Sequence, residues 1–250
     1  MLTSWFWLLL AFGPLLLLER WLHRHLQGVL ILLFRSSEVT LVVYSLALLP
    51  GVFLHEASHW LMATFLGVRA MGFSLIPAAM PDGTLRLGYV ETERMDFLRE
   101  ALVGAAPLLA GAGAVIWIGY ARLNVAPVGE ALAVGDLLAL WAAVQAVFNA
   151  PDAWLWLYLT FAVSNSMLPS ASDRRAWPVV LVVTLVIGAV LFYAGLGPTL
   201  INALARPLDS ALRALAIAFS ITVVIDLALA PFIWLIETGL MRMTGWRVEY

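Results

Sequence analysis

The sequence predicts an all-α polytopic membrane protein of about six transmembrane helices, with a small β-hairpin inserted after the second of them. Three observations carry this: 63% of the 250 residues are hydrophobic, only 12% are charged, and the charged residues collect between long apolar runs. A span needs about 20 mainly apolar residues. Runs at roughly 4–18, 39–66, 99–120, 152–168, 177–196 and 211–240 are the expected spans.

The first run has an apolar centre but no preceding positive charge and no small-residue cleavage site, so it is expected to stay as an anchor. Two further apolar stretches, 26–34 and 132–149, read differently. The former follows Glu19, Arg20, His23, Arg24 and His25, which points to an interfacial or re-entrant element, with both histidines at the interface and not metal ligands. The latter carries Asp136 and Gln145. No segment has the texture of a separate soluble domain, so residues 1–250 form one membrane-embedded domain. Within it, 1–38 is an N-terminal anchor and interfacial segment, 39–175 a core, and 176–250 the C-terminal helices.

One connection stands apart. From Val68 to Tyr89 two short alternating runs flank Pro81-Asp82-Gly83, the pattern of a β-hairpin, here within 68–90. Met71, Phe73 and Leu75 share one strand face; Leu85, Leu87 and Tyr89 share one face of the other.

A net charge of −2, with scattered basic residues, leaves no electrostatic footprint for nucleic acid. The absence of cysteine removes disulfides and thiolate ligands, so a bound metal must be held by histidine, carboxylate or water.

Such a metal is what the segment Phe53-Leu54-His55-Glu56-Ala57-Ser58-His59-Trp60 announces, an HExxH motif inside an apolar helix. Four residues turn an α-helix by about 400°, so His55 and His59 share a face one turn apart and can grip one tetrahedral ion. Glu56 stands beside them, placed to take a proton from a zinc-bound water and deliver it to a leaving amine. Three ionisable groups within five residues of a membrane helix are too costly without partners to be ordinary core residues.

Two imidazoles leave a protein ligand to be found. Asp173 is the preferred one: it follows the polar interruption Ser164-Asn165-Ser166-Met167-Leu168-Pro169, where proline opens the helix and lets an acid bend toward the metal. Asp226, in the middle of the last span, is the rival, although pairing with Ser220, Thr222 or an arginine explains it more simply.

Over residues 39–175 the chain resembles the site-2 protease family of intramembrane zinc proteases. The resemblance rests on HExxH in a membrane helix followed by Gly67 and the strand-like Val68–Ile76; on the patch Gly104-Ala105-Ala106-Pro107; and on Asn165 to Asp173, which keeps the family's Asn-to-Asp spacing. Pro169 falls one place later than in the family, Arg174 stands where glycine follows the aspartate, Ala106 replaces a glycine, and no asparagine follows Pro107. The resemblance implies an endopeptidase with one Zn2+ on His55, His59 and Asp173, Glu56 as general base, and transmembrane or membrane-proximal peptide substrates in a lipid bilayer. It further implies that Asn165 contacts substrate backbone or the reacting carbonyl; a helix-end cap is the plainer reading. Two other readings use the same motif: a catalytically silent zinc-containing binding protein, and a zinc hydrolase acting on lipid or prenylated protein.

Ligands of one ion must share one depth. His55 lies about 24 Å along a helix starting near Val39, so the helix from Asp152 must run parallel to it, with 99–120 returning between them. The stretch 132–149 then fails to cross fully. This arrangement gathers Arg69, Arg86, Arg94, Arg174, Arg175, Arg242 and Arg247 on the active-site side, which the positive-inside rule makes cytoplasmic.

Overall fold

A computed structural model describes residues 2–79 and 85–248. The chain is mostly helical: α1 (Leu2–Phe34), α2 (Ser37–Phe65), α3 (Phe97–Ala121), α4 (Ala126–Val134), α5 (Leu137–Phe148), α6 (Ala153–Ser164), α7 (Trp177–Leu191) and α8 (Gly197–Thr244). Between α2 and α3 lie four short strands, β1 (Ala70–Ser74), β2 (Ala78–Ala79), β3 (Leu85–Arg86) and β4 (Tyr89–Thr92). Four helical stretches are long and apolar enough to cross a membrane: Thr3–Phe34, Ser37–Phe65, Phe97–Ala121 and Trp177–Thr244. At 12 residues each, α5 and α6 are about 18 Å long, well short of a bilayer's hydrocarbon core.

Local chemistry explains the boundaries. Asp96 caps α3 by accepting from the amides of Leu98 and Arg99, and these bonds hold its carboxyl below the ordinary carboxylate range. Gly135, at φ +73°, ends α4, and Asp136 at once caps α5 by accepting from Leu138 and Ala139. That Gly-Asp pair is why the stretch 132–149 is two short helices. Gly67, at φ +71°, closes α2 in a Schellman motif in which the Val68 amide donates to Ala63 O and the Gly67 amide to Thr64 O.

The expected break after residue 18 does not occur. α1 is one helix of 33 residues, with the polar cluster in its middle. Glu19 and His23 turn inward, where His23 hydrogen-bonds Tyr44 of α2. His25 pairs with the buried Glu237 of α8 and stacks on Trp21. Inward partners satisfy these side chains, so the helix has no need to leave the apolar layer.

α1 and α8 run parallel along their length. Ser4 donates to Asp209, Phe12 stacks on Phe219, His25 meets Glu237, and Arg35 lies over Trp246. Because α1 and α2 are joined by a short turn, the C-terminal end of α8 sits with Arg35 near the start of α2. Arg242 and Arg247 are therefore at the end opposite Arg69, Arg94, Arg174 and Arg175, which corrects the grouping expected above. With arginines at both ends, the positive-inside argument for a cytoplasmic active site loses its asymmetry.

α2 and α6 run parallel and α3 antiparallel to both. Gly51 faces the Ala162 carbonyl, and Ser166, past the end of α6, meets His55. Gly111 of α3 packs on Met167, while at the other end Arg122 lies over the rings of Trp117 and Trp156, 5.0 and 4.8 Å from their centroids, pinning the start of α6 to the end of α3. Ala11, Leu15, Ala112, Val115, Val163, Met167, Ala218 and Phe219 form the central core of these helices. α7 buries none of its residues.

The strands form two antiparallel pairs, β1 with β4 (Phe73 opposite Val90, Ser74 opposite Tyr89) and β2 with β3 (Ala79 opposite Leu85). The turn expected at Pro81-Asp82-Gly83 lies outside the described residues. Leu75 and Leu87 pack with Leu48 and Val52 of α2, and Phe73 meets Phe53 edge-on, so the strands fold back along the helix.

Close helix approach makes Gly51 a sensitive position. A β-carbon there would overlap the Ala162 carbonyl and crowd Ser166 Oγ, whereas one at Gly113 would meet nothing within 4 Å. Gly51→Ala should lower stability by about 1–3 kcal/mol despite its better helix propensity. Gly113→Ala should leave the midpoint of thermal unfolding in detergent unchanged or higher.

Candidate metal centre

His55 and His59 project from α2 toward the chain that follows α6. His55 Nδ1–H donates to Ser166 O (2.6 Å), and His59 Nδ1–H donates to Val103 O of α3 (2.9 Å). Each backbone acceptor fixes the proton on Nδ1 and leaves the Nε2 lone pair facing inward. The two Nε2 atoms are 3.2 Å apart. Asp173 completes the triangle, with Oδ1 3.2 Å from His59 Nε2 and Oδ2 3.6 Å from His55 Nε2.

Three electron-pair donors converge on one point, and mutual repulsion would part them unless positive charge lay between. A proton on one imidazole satisfies two of them, whereas a metal ion could satisfy all three. A tetrahedral ion with bonds of about 2.0–2.1 Å would separate its ligand atoms by roughly 3.3–3.4 Å, close to the 3.2 Å between the two Nε2 atoms and the 3.2 Å from His59 Nε2 to Asp173 Oδ1. Among the described residues, His55, His59 and Asp173 are the one group able to hold a metal ion, and the two-imidazole, one-carboxylate set suits zinc.

Asp173 is held from behind. The amide and the hydroxyl of Ser170 each donate to Oδ2 at 2.7 Å, leaving Oδ1 toward His59. The Asp173 backbone carbonyl rests on Gly104 of α3, where any β-carbon would overlap it. Trp177 Nε1–H donates to Ala101 O one turn earlier, tying the far end of the same loop to α3.

Glu56 is buried and points under the strands. A β-carbon at Gly88 would lie 2.9 Å from Glu56 Cγ, 3.0 Å from Ser74 O and 3.2 Å from Glu56 Oε1. Glycine at 88 thus lets strand backbone close over the carboxylate.

Of the residues singled out from the sequence, His55, His59 and Asp173 come together, with Glu56 next along the helix. Asn165 does not join them. It caps the C-terminus of α6, and its Nδ2 donates to Phe161 O (3.1 Å) and to Asp226 Oδ1 (3.0 Å). Asp226, the rival ligand, is fully buried against Asn165 and away from the imidazoles. Ser170, Gly104 and Gly88 were missed as contributors; the small-residue patch at 104 and the serines before Asp173 were visible, but what they touch was not. No protein-family model matches this chain, and comparison with curated proteins and with solved structures found no match.

The seat of Asp173 gives a direct test. In metal titrations monitored by competition with a chromophoric chelator, His55→Ala, His59→Ala and Asp173→Ala should each abolish tight binding of the ion. Gly104→Ala should weaken it by at least about tenfold and Ser170→Ala by about tenfold. Wild-type affinity in Gly104→Ala would mean that Asp173 is not a ligand.

Proposed function

We propose that the chain is a membrane-embedded zinc endopeptidase of the site-2 protease kind, hydrolysing peptide bonds of transmembrane or membrane-proximal substrates. The observation that carries this reading is that Glu56 follows the donor His55 directly on α2 and lies buried beneath the backbone at Gly88, between β3 and β4. A metal held only for structure has no use for a buried carboxylate beside it, nor for a roof of extended chain.

His55, His59 and Asp173 would hold a zinc ion, which when bound would supply Lewis acidity and make a nearby water more acidic. Glu56 takes the proton from the attacking water and passes it to the departing amine nitrogen as the C–N bond breaks. Asp173 and the imidazoles stay fixed through this, because Ser170, Ser166 O and Val103 O hold each from outside. Helical peptide bonds are shielded by their own hydrogen bonds, so the substrate must be unwound locally. A free edge of the β1–β4 pair offers main-chain partners to an extended segment, which strand addition would hold beside Glu56.

The six-span arrangement belongs to this proposal. In it α6 is added to the four long stretches and the last of these divides at Gly195, φ +80°, into two spans, α7 and α8; α6 ends inside the apolar layer where α2, α3 and α8 cover the opened chain at Asn165–Asp173. The α4–α5 pair lies at the other end and does not cross.

A zinc protein without turnover is the second reading, and the commitment of the Asn165 amide to Asp226 favours it, since that amide is then not offered to substrate. Glu56→Gln separates the two. With zinc content equal to wild type, the variant should cleave a detergent-solubilised transmembrane peptide with a helix-destabilised centre at least about 100-fold more slowly. Equal rates in both proteins, or no cleavage by zinc-loaded wild type, would remove the protease reading.

A further inference from the structure

Asp226 is a carboxylate at zero exposure in the middle of an apolar helix, and one of its oxygens, Oδ2, has no hydrogen-bond partner. Among the described residues no basic side chain lies within ion-pair distance of it. Such a group lowers stability relative to an apolar residue of similar size, so its presence calls for a role beyond packing.

Its one bond leads to the metal centre. Asp226 Oδ1 accepts from Asn165 Nδ2, and the same amide donates to Phe161 O, which also accepts from the Asn165 backbone amide at 3.1 Å and from Ser164 Oγ at 3.2 Å. The last turn of α6 is therefore clamped on the side facing α8. Immediately after the clamp, the Ser166 carbonyl receives His55 Nδ1–H. The Ser166 amide still donates to Val163 O at 3.1 Å, but α6 ends here and, among the described residues, no backbone bond from the Met167 amide fixes the plane that carries the Ser166 carbonyl.

We propose that Asp226 is a positioning residue for the metal centre: through Asn165 it sets the direction of the Ser166 carbonyl, and so the tautomer and ring orientation of His55. α8, which supplies no ligand, would in this way take part in the site. The inference rests on the reading of His55, His59 and Asp173 as metal ligands. It assigns Asp226 the work of a hydrogen-bond acceptor, not of a charge.

Cobalt(II) tests it, because its visible absorption reports ligand geometry independently of any turnover. Full-length wild type, Asp226→Asn, Asp226→Leu, Asn165→Ala and the Asn165→Ala/Asp226→Leu double variant would be titrated with Co2+ and, by chelator competition, with Zn2+. Asp226→Asn keeps the acceptor and should match wild type. Asp226→Leu and Asn165→Ala should each lose about tenfold in affinity and shift the cobalt bands. The double variant should lose no more than either single one, because the two residues act as one unit. Wild-type spectra and affinity in Asn165→Ala would overturn the proposal even if Asp226→Leu fails to fold, and so would an Asp226→Asn defect as large as that of Asp226→Leu. Failure of the wild type to bind cobalt or zinc would instead remove the metal centre itself, and the positioning role with it.

Discussion

Two imidazole nitrogens 3.2 Å apart and a carboxylate that brings one oxygen within 3.2 Å of His59 and the other within 3.6 Å of His55 form the constraint around which the molecule is arranged. Lone pairs do not gather in this way unless something positive sits among them, and the cost of holding them is borne by neighbours. Val103 O and Ser166 O orient the imidazoles, and Ser170 orients the carboxylate. Val103 belongs to α3 and Ser166 and Ser170 to the α6–α7 connection, so the centre is only as well defined as the packing of α2, α3 and that connection. The glycines at 51, 104 and 111 permit that packing, since each puts backbone or Cβ against a neighbour that a side chain would displace.

The relative directions of the helices follow from the same constraint. α2 must climb to His55, α3 must return to bring Val103 beside His59, and α6 must climb again to deliver Ser166 and Asp173. Depth matters as much as direction. The Arg122 guanidinium between Trp117 and Trp156 fixes where α6 starts relative to the end of α3, and a helix of 12 residues from there ends level with the imidazoles.

The shared face of His55 and His59 was legible in the sequence because an i, i+4 pair of histidines has a single geometric consequence on a helix. Asp173 was legible because proline and a serine-rich stretch have no business inside a span unless the chain opens there. The stretch 132–149 read as non-crossing, and the Gly135-Asp136 pair supplies the local reason. What could not be read was anything decided by contact between distant segments. Nothing in Glu19-Arg20-Trp21-Leu22-His23 says that Glu19 and His23 turn toward Tyr44 while Arg20 stays exposed, so the helix looked broken where it is continuous. Asp226 looked like a rival ligand because its partner, Asn165, is 61 positions away. The arginines near the C-terminus were assigned to the wrong end because the parallel course of α1 and α8 leaves no trace in either helix alone.

That parallel course has a consequence for biogenesis. α1 has α8 as its main neighbour, so α1 must wait in the bilayer while the chain between them is made. At roughly 5–20 residues per second, the intervening two hundred or so residues take on the order of ten to forty seconds. Throughout that interval His25 has no Glu237 to meet and the inward face of α1 is covered only by what precedes α8. Closure of the bundle thus waits for α8, and His55 and His59 on α2, made well before it, are locked in place only once α8 has arrived.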